Sequence, residues 1–186
     1  MRYILKRHQE RTLSLRLNLP PWLLELLYNW ENDITIRHLQ HVVADAHAYE
    51  TLHFTKEEIQ SKVFSTTQRE NQFFFYLEQE DVPVGFISGT IDPPHLYKHD
   101  MGTFWMSLVI GDARARGHGL GRLAMKWGEE LAREMGCLRI ELGVFAHNKR
   151  ALRLYQSSGF EEIGRIPEFT WWQNQYHEDI RLEKRL

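Results

Sequence analysis

Hydrophobic positions along the chain change their spacing several times, and each spacing predicts a different element. Leucine alternates with polar residues over positions 13–17, which is the two-residue period of a strand with one buried face. Behind Pro20 and Pro21, apolar residues recur at helical spacing as far as Trp30, so we expect a first helix there. Residues 31–54 lack a clear period, and we expect loop and irregular helix in this stretch.

The middle of the chain predicts a second helix followed by a sheet. Thr55 and Glu58 form a capping box, the usual start of a helix. Residues 73–78 and 84–91 are aromatic and β-branched runs separated by a short polar stretch, which predicts a hairpin. The apolar run over residues 104–110 is too short for a typical helix, so we expect a central strand buried on both faces.

A further helix and strand follow a glycine-rich stretch. Apolar residues return at helical spacing over positions 120–131, and Gly136 is placed to end that helix. Residues 138–144 alternate as a strand does. Asn148 is placed to cap a short helix that ends at Gly159.

The last elements complete the prediction of fold class. Residues 160–164 and 178–182 predict two strands that bracket Pro167 and the pair Trp171 and Trp172. Because helices interleave with a strand-rich centre, we expect an α/β or α+β fold with a mixed sheet. A length of 186 residues favours a single domain over positions 1–186.

The glycine-rich stretch Arg116-Gly117-His118-Gly119-Leu120-Gly121 lies between a predicted strand and a predicted helix. Main-chain amides at a helix N-terminus bind anions, and glycines allow a pyrophosphate to approach the backbone closely. Arg114, Arg116 and Arg122 add positive charge. The alternative is that the glycines only serve a tight turn. The spacing fits neither a dinucleotide fingerprint nor a triphosphate loop.

Charge and composition exclude several other classes. A net charge of −2 supplies no basic field, so we expect no nucleic-acid partner. No apolar run reaches membrane-spanning length, the first residues do not resemble a signal peptide, and Cys137 is the only cysteine. We therefore expect a cytoplasmic protein without a membrane partner. His38 and His41 lack a third ligand at a recognised spacing, so no metal is expected.

Two blocks of the sequence resemble the GNAT superfamily of N-acetyltransferases. The first is Arg116-x-x-Gly119-x-Gly121, and the second runs over residues 144–155 and closes with Gly159 and Phe160. Weaker features resemble the branch that contains ribosomal-protein N-terminal and polyamine acetyltransferases. The resemblance implies a single-domain GNAT fold, in which helices flank a mixed, mostly antiparallel twisted sheet. It also implies acetyl-CoA as cosubstrate.

The resemblance also implies roles for individual residues. The backbone of Leu108, Val109 and Ile110 would pair with the pantetheine arm. Asn148 would hydrogen-bond the same arm, and Tyr155 would protonate the leaving thiolate. The pyrophosphate would lie on Arg116 and on the amides of Gly117, His118, Gly119, Leu120, Gly121 and Arg122. Asn148 and Tyr155 are seven residues apart and so share a helix face, although a core tyrosine is the alternative for Tyr155.

The base that deprotonates the amine is harder to find. Related enzymes often carry a glutamate where this chain has Trp105, so the position that would supply a direct carboxylate base holds no carboxylate here. Glu141, His147 and Asp179 are substitutes, and Ser107 is a candidate relay; each is more often structural than catalytic.

The resemblance further implies that residues 31–54 and 164–177 bound the acceptor, and both segments are irregular, as segments that set specificity usually are. The acids within them that would attract a cationic amine are Glu31, Asp33, Asp45 and Glu50, and the alternative is that they are ordinary surface acids. Trp171 and Trp172 would line the acceptor pocket or form a homodimer contact. The predicted function is transfer of an acetyl group to a primary amine, either a small molecule or a peptide N-terminus. The alternatives are an inactive acyl-CoA-binding regulatory domain and a dinucleotide-dependent enzyme.

Overall fold

A computed structural model describes residues 3–6, 20–67 and 71–186. The strands are β1 (Tyr3–Lys6), β2 (Gln72–Gln79), β3 (Val82–Ile91), β4 (Thr103–Val109), β5 (Arg139–Phe145), β6 (Glu161–Trp172) and β7 (Gln175–Arg185). The α-helices are α1 (Pro21–Asn32), α2 (Ala46–Thr51), α3 (Lys56–Thr67), α4 (Leu120–Glu134) and α5 (Lys149–Ser157), with short 3₁₀ turns at Arg37–Leu39 and Ala113–Ala115.

The described strands form one sheet in the order β1-β2-β3-β4-β5-β7-β6. The pair β4 and β5 is parallel, and the other neighbours run antiparallel. The predicted mixed, mostly antiparallel sheet with flanking helices is therefore confirmed.

Helices cover both faces of the sheet. On one face, α4 and α5 pack on β4 and β5 in a cluster that includes Phe104, Leu120, Ile140 and Leu142. On the other face, α1 and α3 bury Leu23, Leu27, Trp30, Ile59 and Val63 against Phe86 of β3. None of the helices in the described ranges is long and apolar enough to cross a membrane.

Most predicted elements are confirmed. Pro21 opens α1 and the capping box of Thr55 and Glu58 opens α3, while residues 31–54 hold the end of α1 at Asn32, a 3₁₀ turn and the short α2. Gly136 follows α4 with a φ of 74°. The strand predicted over residues 13–17 lies outside the described residues.

The end of the chain differs from the prediction. The last two strands are longer than expected, and Pro167 and both tryptophans lie within β6 rather than between strands. A register shift between Ile166 and Thr170 accommodates the proline, because a residue without an N–H group cannot take part in a regular ladder.

Candidate active site

Strands β4 and β5 separate half-way along their length. Their register pairs are Thr103 with Arg139, Phe104 with Ile140, and Trp105 with Glu141. Beyond these pairs, β4 and β5 are not paired with each other. Ser107 is consequently exposed, although it lies in a central strand. An unpaired strand edge presents main-chain N–H and C=O groups, so the gap between β4 and β5 can pair with an extended ligand.

The glycine turn lies at the open end of this gap. Gly117 and Gly119 have φ angles of 89° and 87°, a conformation that residues with a Cβ rarely adopt. A Cβ at Gly119 would meet no atom within 4 Å, so there is open space beside the turn at this residue. Gly119 begins α4 without a side-chain cap. The turn therefore leaves the N-terminus of α4 accessible.

Six consecutive amides, those of residues 117–122, donate a hydrogen bond to none of the described residues. The first amides of a helix have no intrahelical acceptor, and the helix dipole adds positive potential at the same end. A row of unpaired donors of this kind is a site for phosphate groups. The cofactor role predicted for these residues stays a prediction that this geometry favours.

Arg116 has contacts that the sequence did not indicate. Its Nε donates to the carbonyl of Ile110 at 2.9 Å, and Nη2 donates to the carbonyl of Gly111 at 2.5 Å. Nη2 also lies 3.6 Å from the carboxylate of Asp33. The side chain therefore fastens the end of β4, and its predicted contact with a pyrophosphate gains no support from this arrangement.

Other cations surround the turn. Arg114 is paired with Asp112 at 2.7 Å, while Arg122 is exposed. The sequence analysis missed Arg150, the second residue of α5, whose guanidinium lies 3.7 Å from the position of a Cβ on Gly117. Its place directly after Asn148-Lys149, in the second block of the resemblance, was the available signal.

Tyr155 lies on α5, in the buried cluster that also holds Leu142 and Val144 of β5. The side-chain oxygen of Asn148 caps this helix by accepting from the amide of Ala151 at 3.1 Å. Burial raises the pKa of Tyr155 to about 12, so the phenol keeps its proton at neutral pH. Its position fits both a core tyrosine and a proton donor facing β5.

The substitute bases have different surroundings. Glu141 is fully buried; one oxygen accepts from the amide of Tyr97 at 2.6 Å and the other from Arg139 at 3.1 Å. Burial lowers the pKa of His147 to about 4, which makes its imidazole a weak base. Burial raises the pKa of Asp179, although Arg181 partly opposes the rise. The raised pKa makes the Asp179 carboxylate a stronger base than an ordinary aspartate.

Trp105 occupies the position where a strand glutamate was sought. Its ring lies beneath the guanidinium of Arg181, at 4.8 Å, and meets His95 edge to face. The side chain is therefore held by cation–π and aromatic contacts on the face that Glu141 shares.

The two segments predicted to bound the acceptor contact one another. The amide of Trp171 donates to the carbonyl of Val43 at 2.8 Å, and the ring of Trp172 stacks on His38 with centroids 4.0 Å apart. Trp172 is therefore a contact within the chain. The segment after α1 and the β6–β7 hairpin together form one wall beside the open end of β5.

The acids predicted to attract an amine have structural partners in three of four cases. Glu31 lies 2.8 Å from His41 and 3.4 Å from Lys62. Asp33 accepts from Thr35, and Asp45 caps α2. Glu50 is exposed. Among the described residues, no group of three His, Cys, Asp or Glu side chains is arranged to hold a metal.

The model of the acetyltransferase (GNAT) family matches residues 24–160, which include the glycine turn, the gap and Tyr155. The chain belongs to the GNAT family. It is similar to the uncharacterized N-acetyltransferase YdgE of Bacillus subtilis (36% identity) and to the spermine/spermidine N(1)-acetyltransferase of the same organism (34% identity). These alignments cover 48% and 45% of the chain, and 55% of each relative's length. The chain therefore spans about half the length of these curated relatives.

A solved structure shares the fold of this GNAT protein over nearly its whole length. The spermidine N-acetyltransferase of Vibrio cholerae, in complex with CoA and spermine, superposes with a TM-score of 0.75 at 17% identity. The alignment covers 98% of this chain and 95% of that chain. At this identity the likeness establishes the fold alone.

Proposed function

We propose that this GNAT protein transfers an acetyl group from acetyl-CoA to a primary amine, by direct attack within a ternary complex. The observation that carries the proposal is the row of six amides at residues 117–122, which donate to no residue in the described ranges and lie at the open end of the gap between β4 and β5. One feature suits a pyrophosphate, and the other suits an extended amide-bearing arm.

The residues present fit acetyl-CoA. The amides of residues 117–122 would hold the pyrophosphate, and the exposed guanidinium of Arg150 would add a cation beside Gly117. The main chain of Leu108, Val109 and Ile110 would pair with the pantetheine arm along the free edge of β4. Asn148 uses its side-chain oxygen as a helix cap, which leaves its amide nitrogen to donate to the same arm.

The protein's own groups then account for the chemistry at the thioester. A main-chain N–H of β4 at the gap would donate to the carbonyl oxygen as negative charge develops on it. Tyr155 would give its proton to the departing sulfur, a contribution that is typically about 10²- to 10⁴-fold. Holding the amine and the thioester side by side supplies the rest of the acceleration.

The acceptor proposed is a small-molecule amine or a peptide N-terminus, bound between residues 31–54 and 164–177. The relatives named for spermine and spermidine support an amine acceptor. The alternative is an inactive acyl-CoA-binding domain. Its support is Trp105, which stands where a glutamate base was sought, because β4 carries no carboxylate over Thr103–Val109.

Calorimetric titration and a thiol-release assay test the proposal. CoA and acetyl-CoA should bind, whereas NAD and FAD should not. Thiol release from acetyl-CoA should depend on an amine from a panel of spermine, spermidine and a peptide with an N-terminal alanine. Binding without turnover on any amine would favour the regulatory domain. Absence of heat and of thermal protection with every CoA species would overturn the assignment.

A further inference from the structure

Asp179 lies against the part of β5 that is not paired with β4. It pairs in register with Phe145, and its two carboxylate oxygens lie 2.8 and 2.9 Å from the point where a Cβ on Gly143 would be. Any other residue at position 143 would push the carboxylate away. Gly143 is the second residue beyond Glu141, the last residue of β5 that pairs with β4. The absent side chain therefore brings a carboxylate to the edge of the gap.

The carboxylate lies on the face of the sheet opposite Tyr155. Arg139 and Thr103 share a face, because Arg139 Nε donates to Thr103 Oγ1 at 2.7 Å. Alternation along the strands puts Gly143 on the same face as Arg139, and Asp179 is seated over Gly143. Tyr155 instead packs in the cluster with Leu142 and Val144. A proton donor and a carboxylate thus lie on opposite faces of the sheet at β5.

Asp179 differs from the other buried carboxylates near this face. Both oxygens of Glu141 accept hydrogen bonds, and each oxygen of Glu183 is in an ion pair, Oε1 with Lys98 and Oε2 with Arg139. Asp179 accepts from Arg181 Nε through Oδ2 at 2.6 Å, whereas Oδ1 receives no hydrogen bond from any described residue. Oδ1 is therefore available to a donor that enters the gap.

The charged and titratable groups around Asp179 come from several elements. Arg181 and His177 share its face of β7, Glu141 comes from β5, His147 follows β5, and His95 precedes β4. Arg181 is held by the carbonyl of His95 at 3.1 Å and lies 3.8 Å from Glu141. Because Arg181 is shared with Glu141, it neutralises Asp179 only in part. Burial accordingly keeps the pKa of Asp179 above the ordinary carboxyl value.

We propose, on the basis of the proposed acetyl transfer, that Asp179 is the base that accepts a proton from the ammonium form of the acceptor. Of the three protons on the ammonium nitrogen, one passes to Asp179 Oδ1 and the free amine attacks the thioester carbon. The C–N bond forms and the C–S bond breaks. The second proton replaces the one that Tyr155 gives to sulfur, and the third stays on the amide. Asp179 then releases its proton to solvent.

The test compares Asp179→Asn with Glu183→Gln across pH 6 to 10, using kcat/KM for the best amine of the panel. Asp179→Asn should lower kcat/KM about 100-fold at pH 7, in the range expected for a lost general base. The deficit should shrink as pH rises, because the variant depends on amine that is already neutral. Glu183→Gln removes a buried carboxylate from the same face of β7, and it should keep the wild-type pH profile.

A purely structural role makes a different prediction. If Asp179 only stabilises the fold, its replacement lowers kcat/KM by the same factor at every pH, and that result would overturn the proposal. An unchanged rate and profile would overturn it as well. If Asp179→Asn does not fold, Gly143→Ala carries the test, because the added methyl displaces the carboxylate without removing it. Gly143→Ala should show the same deficit in kcat/KM that shrinks as pH rises. A wild-type dependence of kcat/KM on pH in this variant would refute the role of Asp179 as the base.

Failure of this proposal is distinguishable from failure of the proposed function. A wild-type protein that binds CoA and acetylates no amine would reject both. A wild-type protein that turns over normally beside an equally active Asp179→Asn would reject the role of Asp179 alone.

Discussion

The guanidinium of Arg116 donates to the main-chain carbonyl of Ile110 at 2.9 Å, which fastens the glycine turn to the end of β4. A second nitrogen donates to Gly111 and lies 3.6 Å from Asp33, just beyond the end of α1. One side chain thus connects the proposed acceptor segment to the proposed pyrophosphate site. The planar guanidinium of Arg116 can donate to two neighbouring carbonyls at once, whereas the compact ammonium group of a lysine cannot match that geometry.

Replacement of Arg116 by lysine should destabilise the protein. Loss of the two carbonyl contacts should cost about 1–3 kcal/mol, because the carbonyls are left without a charged donor. Urea unfolding followed by circular dichroism measures the change. Arg114→Lys is the control, since that side chain is 87% exposed and should shift stability by less than about 0.5 kcal/mol. Equal stability of Arg116→Lys and Arg114→Lys would contradict the stabilising role of the contacts that Arg116 makes with the two carbonyls.

Replacement of Gly119 by alanine should weaken CoA binding beyond its effect on stability. An alanine with a φ of 87° costs about 1–2 kcal/mol of unfolding free energy. Its Cβ would occupy the open space beside the amides of residues 117–122, and loss of one charge-assisted hydrogen bond to CoA should lower the affinity by about tenfold or more. Calorimetry with CoA measures the affinity.

Gly136 offers a matched control at the other end of α4. Its φ is 74°, and a Cβ there also meets no atom within 4 Å. Gly136→Ala should therefore lose a similar amount of stability and keep its CoA affinity. A parallel loss of affinity in both variants would mean that strain, rather than blocked amides, explains the effect.

The glycine turn could be predicted because local chemistry dictates it. Gly117 and Gly119 need positive φ angles, and a helix N-terminus leaves amides unpaired wherever it occurs. The cap of α5 by Asn148 is equally local, since the side chain bonds to an amide three residues away. These features depend on neighbours in sequence, which a single chain displays directly.

The surroundings of β5 could not be predicted in the same way. The alternation over residues 138–144 indicated a strand with one buried face, yet Glu141 is fully buried and Leu138 is 70% exposed. Glu141 can be buried because Arg139 bonds to it and Arg181, 40 residues later in the chain, lies 3.8 Å away. Pairing between strands that are distant in sequence does not change the spacing of hydrophobic residues within either strand. For the same reason, the gap between β4 and β5 is invisible in the sequence.

Tyr155→Phe tests the proton donor. Turnover should fall by about 10²- to 10⁴-fold, because the phenol that protonates the departing sulfur is lost. CoA affinity should change little, since the ring keeps its place against Phe160. With the pKa of Tyr155 raised to about 12 by burial, the wild-type rate should show no loss from ionisation of this phenol below pH 10. Tyr97→Phe, at a partly exposed tyrosine outside the gap, is the control. Unchanged turnover of Tyr155→Phe would remove the phenol from the mechanism.

His147 should make the folded protein sensitive to mild acid. Its ring packs against Phe145, His177 and His38, and Nε2 lies 3.0 Å from the carbonyl of His38. Burial lowers the pKa of His147 to about 4 in the folded state, against an ordinary value near 6.5 in the unfolded chain. Between these two values the unfolded chain binds more protons than the folded protein. Stability is therefore complete above about pH 6.5 and falls as pH decreases towards 4.

Urea midpoints at pH 7 and pH 5 measure this dependence. The wild-type midpoint should fall between the two, and His147→Gln should lose less of its stability over the same interval. Part of the dependence should remain, because burial also lowers the pKa of His38. His47→Gln, at an exposed histidine of α2, should behave as the wild type does. If the urea midpoint of His147→Gln falls between pH 7 and pH 5 by as much as that of the wild type, the acid sensitivity has another source. That result would mean that His147 does not have to lose a proton when the protein folds.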